Sequence, residues 1–286
     1  MRLHQRLLPL GYAAARIVIP GGRWSLQGSG YCPSCDSPTV FVLANSHAQW
    51  IRGLTQSWAN SPAFKSGLII RESELCAICR ANFRIRAQAQ TLLRLLCLDK
   101  TESLIWKLRR QRDFRIYETA HCNVFRDDEI LALPNYITSE YVESARPGEI
   151  VNGRMNQNLE QLTFADEMFD VVLTSEVLEH VVDLGRALGE IYRVLKPGGY
   201  HVFTVPSDPG LERTIERARL VDGRVVHLMP AVKHGDSIRS AGILAFRDFG
   251  SDTTTVIDRF GFRCQESVLS GTFGFITSVY TATKIV

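Results

Sequence analysis

The chain has 286 residues, with 33 lysines and arginines against 30 aspartates and glutamates, a net charge of +3 at neutral pH. Hydrophobic residues make up 45% and charged residues 22%, the proportions of an ordinary soluble globular protein of one large or two modest domains. The balance of charge offers no bulk argument for nucleic acid, and no apolar run reaches the roughly 18 residues that cross a bilayer.

Residues 1–30 read as an N-terminal tail. Its basic start and short apolar patch are broken by Pro9, Gly11 and Arg16, which favours an irregular segment or a short packing helix over a cleaved signal peptide. Two C-x-x-C pairs follow, Cys32/Cys35 and Cys76/Cys79, 40 residues apart. Two such turns supply the four soft ligands of tetrahedral Zn²⁺, and four protein ligands leave no open catalytic position, so a structural site is expected. The long spacer should fold into its own helix or hairpin. Residues 31–100 are therefore read as a zinc-ribbon-like module. Cys97, Cys122 and Cys264 sit in apolar company and read as reduced core thiols, which points to the cytoplasm.

From residue 80 to 115 the chain is basic: Arg80, Arg84, Arg86, Arg94, Lys107, Arg109, Arg110, Arg112 and Arg115. This run reads as a solvated helix face, with a phosphate-rich partner as the alternative. FRIRAQAQTLLRLLCL (83–98) has helical apolar spacing. Beyond it, strand-like runs at 114–119, 135–141, 169–175, 199–206, 262–267 and 276–285 alternate with helical ones at 182–195 and 253–262. Such alternation predicts an α/β fold with a doubly wound, mostly parallel sheet. The last two strands are too close for a crossover helix and should form an antiparallel hairpin. Lys196-Pro197-Gly198-Gly199 should stop one helix and turn into the next strand.

Residues 156–206 contain an amide and L-T-F turn, then FDVV, VLEH and RVLKPGG in one order. This segment resembles the central part of class I S-adenosylmethionine-dependent methyltransferases of the type 11-like group, with weaker similarity from residue 113 to the end. The resemblance implies a Rossmann-like methyltransferase domain over 113–286 with S-adenosylmethionine bound at the carboxyl ends of the strands. It implies cofactor contacts from Glu118, Thr119 and Ala120 after the first strand. Glu140, 22 residues on, would take the ribose, Asn158 and Leu159 the adenine, and Ser175 and Glu176 the side of the methyl group. The family's glycine-rich loop is replaced here by Glu118–Asn123, which has no glycine.

Methyl transfer asks the protein to position an acceptor, exclude water and, for a hydroxyl, receive a proton. His234 is the first candidate base, in the insert 207–249, followed by His227 and by His180 of VLEH. The acceptor is expected to be a small molecule or a sugar hydroxyl. Two other readings stay open: a zinc-ribbon methyltransferase acting on RNA, and a non-catalytic binding protein with a degenerate cofactor loop.

Overall fold

A computed structural model of the protein describes residues 24–56, 58, 60–120, 123–235, 242–271 and 276–285. Of the expectations above, most of the 1–30 tail and residues His121, Cys122 and Asp236 lie outside the described residues.

The N-terminal part opens with β1 (Trp24–Cys32) and β2 (Ser37–Ala44), joined through the first cysteine pair. The spacer then forms helices α1 (Asn45–Thr55) and α2 (Pro62–Ser73) before β3 (Glu74–Cys76) returns beside β2. Of the two expected alternatives for the spacer, helix or hairpin, helix is found, in two pieces that follow β2. Ser61 caps α2 by accepting from the Phe64 amide at 3.2 Å, with proline at the first helical position.

Next come α3 (Phe83–Leu95), α4 (Thr101–Arg110), β4 (Ile116–Glu118), β5 (Tyr136–Glu140), β6 (Ile150–Val151), β7 (Arg154–Asn156) and β8 (Phe169–Ser175). Helix α5 (Leu184–Val194) and β9 (Leu195–Thr204) follow, and the chain closes with α6 (Thr253–Asp258), β10 (Phe262–Ser270) and β11 (Ile276–Lys284). The sheet order is β10-β11-β9-β8-β4-β5-β7-β6. Strands β9, β8, β4, β5 and β7 are mutually parallel, and β11 runs antiparallel between β9 and β10. The expected C-terminal hairpin is present.

Alternate residues of each strand face opposite layers. Ile116, Val171, Leu173 and Val202 pack with Phe83, Leu92, Leu104 and Leu108 of α3 and α4. Tyr117, Val172 and Phe203 pack on the other face with Leu188, Ile191 and Ile257 of α5 and α6. Full burial of each such side chain stabilises by about 1.5–3 kcal/mol, so α3 belongs to the core of the sheet although it follows directly on the second cysteine pair.

The expected strand at 199–206 begins earlier, at Leu195, because Lys196–Gly199 bulges within the β8–β9 ladder. A Cβ on Gly199 would stand 2.9 Å from the Lys196 carbonyl oxygen and 3.0 Å from that of Asp170, so the turn needs glycine there. The helix at 253–262 is shorter than expected. It ends at Asp258, and Gly261 turns with a φ of +85° against the Tyr192 ring. Two expectations need correction. Cys97 is exposed, just past the end of α3, and is no core thiol, whereas Cys264 is buried. Arg84 and Arg86 are buried in ion pairs with Glu72 and Glu74, so the basic run is not one solvated face. Among the described residues no helix is long and apolar enough to cross a membrane.

His201 of β9 is fully buried, stacked on Phe203, with Nε2 3.0 Å from the Thr174 hydroxyl. Burial pushes its pKa down to about 3 from 6.5. The unfolded chain therefore binds this proton before the folded one does. The stabilisation is complete above about pH 6.5 and is lost progressively down to about pH 3, amounting to about 3 kcal/mol at pH 4.5. Urea unfolding at pH 7.5 and 4.5 is expected to show that difference, and His201→Gln should reduce it by a comparable amount; equal pH dependence in both proteins would refute the assignment.

Candidate cofactor and metal sites

The carboxyl ends of parallel strands β4, β5 and β8 open on a cavity of about 590 Å³, within the usual range for a small-molecule site. Ala120, Glu140, Ser175, Glu176, His180 and His234 line it from the sheet side. The opposite wall comes from the N-terminal part, through Trp50, Trp58, Arg71, Glu72 and Arg84.

After β4, Ala120 and Asn123 both take left-handed backbone, with φ of +64° and +50°, a conformation glycine adopts freely and other residues at about 1–2 kcal/mol each. Glu118 does not line the cavity. Fully buried, it accepts from the Val124 amide at 2.8 Å and the Tyr136 hydroxyl at 2.5 Å, and burial raises its pKa despite those bonds. It braces the loop from behind. Thr119 is buried beside it, its amide donating to the Leu173 carbonyl at 3.1 Å.

Glu140 ends β5 at the cavity wall, one oxygen accepting from the Tyr141 amide at 3.1 Å. Asn158 and Leu159 are not among the residues that line the cavity. Asn158 Oδ1 accepts from the Glu160 amide at 2.9 Å within a turn, and Leu159 is packed into the core. The Ser175 hydroxyl donates to Gln88 Oε1, while Gln88 Nε2 donates to the carbonyls of Thr174 at 3.1 Å and Val202 at 3.0 Å. One glutamine of α3 thereby fixes the ends of two adjacent strands.

An ion network ties the two walls. Arg71 Nη2 stands 2.7 Å from Glu176 Oε2, and Glu72 Oε1 lies 3.1 Å from Arg71 Nε and 2.8 Å from Arg84 Nε. Burial would raise the Glu72 pKa, but Arg84 and Arg71 outweigh it and hold the carboxylate ionised. At Glu176 burial prevails over Arg71, and the pKa is raised. A second tie is Asp208, just past β9, which accepts from the Ser61 amide (3.0 Å), the Ser61 hydroxyl (2.9 Å) and Asn60 Nδ2 (3.2 Å) at the start of α2.

Of the three histidines, His180 and His234 come together, their rings 4.9 Å apart, and Trp58 packs on His234 at 5.2 Å. Gly235 lets the Trp50 ring approach: a Cβ there would lie 2.4 Å from Cη2. His227 sits elsewhere, exposed on the hairpin Ala218–Val221/Arg224–His227, and does not line the cavity. Sequence reasoning missed the N-terminal wall altogether. It also passed over Glu179, although VLEH contains it.

The four paired cysteines gather in one cluster, all sulfurs within 4.8 Å of one another. Sγ of Cys32 and Cys79 are 3.7 Å apart, and those of Cys35 and Cys76 3.9 Å. Four thiolates around an ion at about 2.3 Å would stand about 3.8 Å apart, so the donor set fits tetrahedral zinc. The cluster is docked on both sides. Asp36 accepts from the Thr101 and Glu102 amides at the start of α4, and Arg86 binds the Glu74 and Ala81 carbonyls at 3.1 and 3.0 Å.

Residues 137–203 match the family model described as a methyltransferase domain. Over 87 residues the chain is 39% identical to the ubiquinone/menaquinone biosynthesis C-methyltransferase UbiE of Klebsiella pneumoniae, covering 29% of this chain and 34% of that protein. It is 36% identical to the 27-O-demethylrifamycin SV methyltransferase of Amycolatopsis mediterranei, again over 87 residues, covering 29% and 31%. The chain thus spans about a third of the length of these relatives. Among solved structures, it is similar to the 1,6-didemethyltoxoflavin-N1-methyltransferase of Burkholderia thailandensis, with 12% identity, a TM-score of 0.37, and 91% and 100% of the two chains covered. It is also similar to a complex of the Haloferax volcanii Trm112 methyltransferase activator with a methyltransferase, with 13% identity, a TM-score of 0.39, and 61% and 83% covered. The matched segment runs from β5 into β9, so the ends of β5 and β8 that border the cavity belong to the part of the chain that is similar to a methyltransferase domain.

Proposed function

We propose that the chain transfers a methyl group from S-adenosylmethionine to a small-molecule acceptor, with a sugar hydroxyl within that class. The observation that carries this reading is the cavity itself: it lies at the ends of the parallel strands, and a roof of N-terminal helices closes it to small-molecule size. When bound, the cofactor supplies an electrophilic methyl group on a positively charged sulfur. The residues present fit it. Glu140 offers a carboxylate for the ribose hydroxyls, the Ala120 loop lets the backbone come close, and Ser175 and Glu176 stand at the strand end. The two tryptophans of the roof exclude water and give an acceptor an apolar or aromatic face. Three imidazoles line the cavity, and two of them, His180 and His234, come together on the sheet side, placed to act on an acceptor's polar hydrogen or oxygen; the third, His47, is on the opposite wall.

The four-cysteine cluster is read as a structural zinc site that holds the roof in place. It needs reduced thiolates, which suits the cytoplasm. The division into a cysteine module over 31–100 and a methyltransferase domain over 113–286 is read as a metal-stapled cap on a catalytic sheet. An RNA acceptor gains no support from Arg84 and Arg86, since both are buried. Against the non-catalytic reading, which rests on the missing glycines, we set the left-handed backbone at Ala120.

Calorimetry with S-adenosylmethionine tests the proposal. Glu140→Ala should weaken binding about 10- to 100-fold, the loss of charge-assisted hydrogen bonds worth about 1.5–3 kcal/mol. Unchanged affinity would remove Glu140 from the site, and no heat from the wild-type protein at millimolar ligand would sink the enzymatic reading.

A further inference from the structure

Glu179 is fully buried, yet among the described residues neither of its carboxylate oxygens accepts a hydrogen bond. Two imidazoles approach it, while the Glu176 carboxylate and the Arg247 guanidinium act on it from further off. His180 Nε2 and His234 Nδ1 both stand 3.6 Å from the same oxygen, Oε1. One ligand atom from each of the three residues lies within 4.8 Å of the other two.

The His180 tautomer is fixed from behind. Its Nδ1 lies 2.9 Å from the Leu244 carbonyl oxygen, which can only accept, so Nδ1 carries the proton. In the neutral ring Nε2 then turns a lone pair toward a carboxylate, an arrangement of two acceptors that calls for a cation between them. Arg247 does not supply it: its guanidinium donates to the Leu178 and Val182 carbonyls and anchors the loop that carries Glu179.

The geometry points to a divalent metal site built by Glu179, His180 and His234, separate from the cysteine cluster. Two imidazoles and one carboxylate are the donor set of open zinc sites, and an ion at about 2.1 Å from each would hold its donors about 3.0–3.5 Å apart. The His180 Nδ1 bond to a backbone carbonyl is the outer contact that metal-ligating histidines ordinarily make. Both histidines line the cavity while Glu179 lies behind them, so the open coordination position faces the cavity and takes an oxygen ligand. With the ion bound, the histidines give lone pairs to it and receive no proton from the acceptor. A role in acceptor binding rests on the methyltransferase reading; the metal site does not.

The test is the metal content of the full chain after equilibration with micromolar Zn²⁺ and removal of excess. The wild type should hold about two zinc ions, and His234→Ala and Glu179→Gln about one. His234→Ala, in a surface segment, keeps the test informative if the buried substitution impairs folding. Cobalt assigns the sites, because thiolate charge-transfer bands report only the cysteine cluster. Variants that bind as much metal as the wild type, or wild-type cobalt confined to the thiolates, would overturn the proposal and leave a protonated histidine pair beside Glu179. Absence of S-adenosylmethionine binding by a wild type that shows variant-sensitive metal would instead refute the methyltransferase reading alone.

Discussion

Serine in place of Cys76 is expected to release the zinc proposed for the cysteine cluster and to loosen the roof of the cavity. Cys76 is fully buried, and its sulfur contacts both members of the first pair. Structural zinc in small sites contributes about 10–16 kcal/mol of apparent binding energy at neutral pH, most of it folding energy. Three thiolates would hold the ion far less tightly. The strands that lose their staple are β1 to β3, and helices α1 and α2 hang between them. Elemental analysis should show one metal equivalent fewer, and Cys32→Ser and Cys79→Ser should behave alike. A variant that melts at the wild-type temperature with its metal content intact would show that these sulfurs are ordinary buried thiols.

The second large effect is expected at Arg71. The side chain is buried, and its guanidinium lies between the carboxylates of Glu72 and Glu176. Alanine there leaves Glu176 without its closest cation inside a low-dielectric wall. Breaking a buried pair from one side costs about 3–5 kcal/mol, which for a domain of this size corresponds to about 6–20 °C in Tm. The double variant Arg71→Ala/Glu176→Gln should recover part of the loss, because the stranded charge is then gone. Urea unfolding of wild type, single and double variants checks this. A single-variant loss under about 1 kcal/mol would mean that water screens the pair.

Much of the sheet was legible because each strand is a short apolar run with period-two faces and turn residues at its ends. FDVVLTS forms β8 over the residues expected, and the C-terminal hairpin follows from a gap too short for a helix. The bulge at Lys196–Gly199 was visible as a turn but not as part of a strand, since a ladder that shifts register leaves no local signature. The cysteine pairs were legible from spacing alone, and the sulfurs converge as that spacing requires.

The candidate site was only half legible. Ala120, Glu140, Ser175, Glu176, His180 and His234 meet at one cavity because they end strands or lie in the loops beyond them. Glu118 and Leu159 occupy the expected places in the chain but point into the protein, a matter of side-chain direction that sequence order does not carry. The roof was invisible for a different reason. Trp50, Trp58 and Arg71 lie in a spacer whose local pattern indicates helix but not what that helix covers. Arg71 finds Glu176 across 105 positions of sequence, a pairing no local spacing encodes.

The position of α3 has a consequence for how this chain can be cut or recombined. The helix begins just after the second cysteine pair, yet Phe83 and Leu92 complete the core of the sheet, and Gln88 binds the ends of β8 and β9. A fragment starting at residue 113 would present a bare apolar layer to water and lose the hydrogen bonds that hold its strand ends. A fragment ending at residue 100 would expose the complementary stripe. The cysteine-bearing half is therefore no detachable cassette: through this helix the two halves share one core.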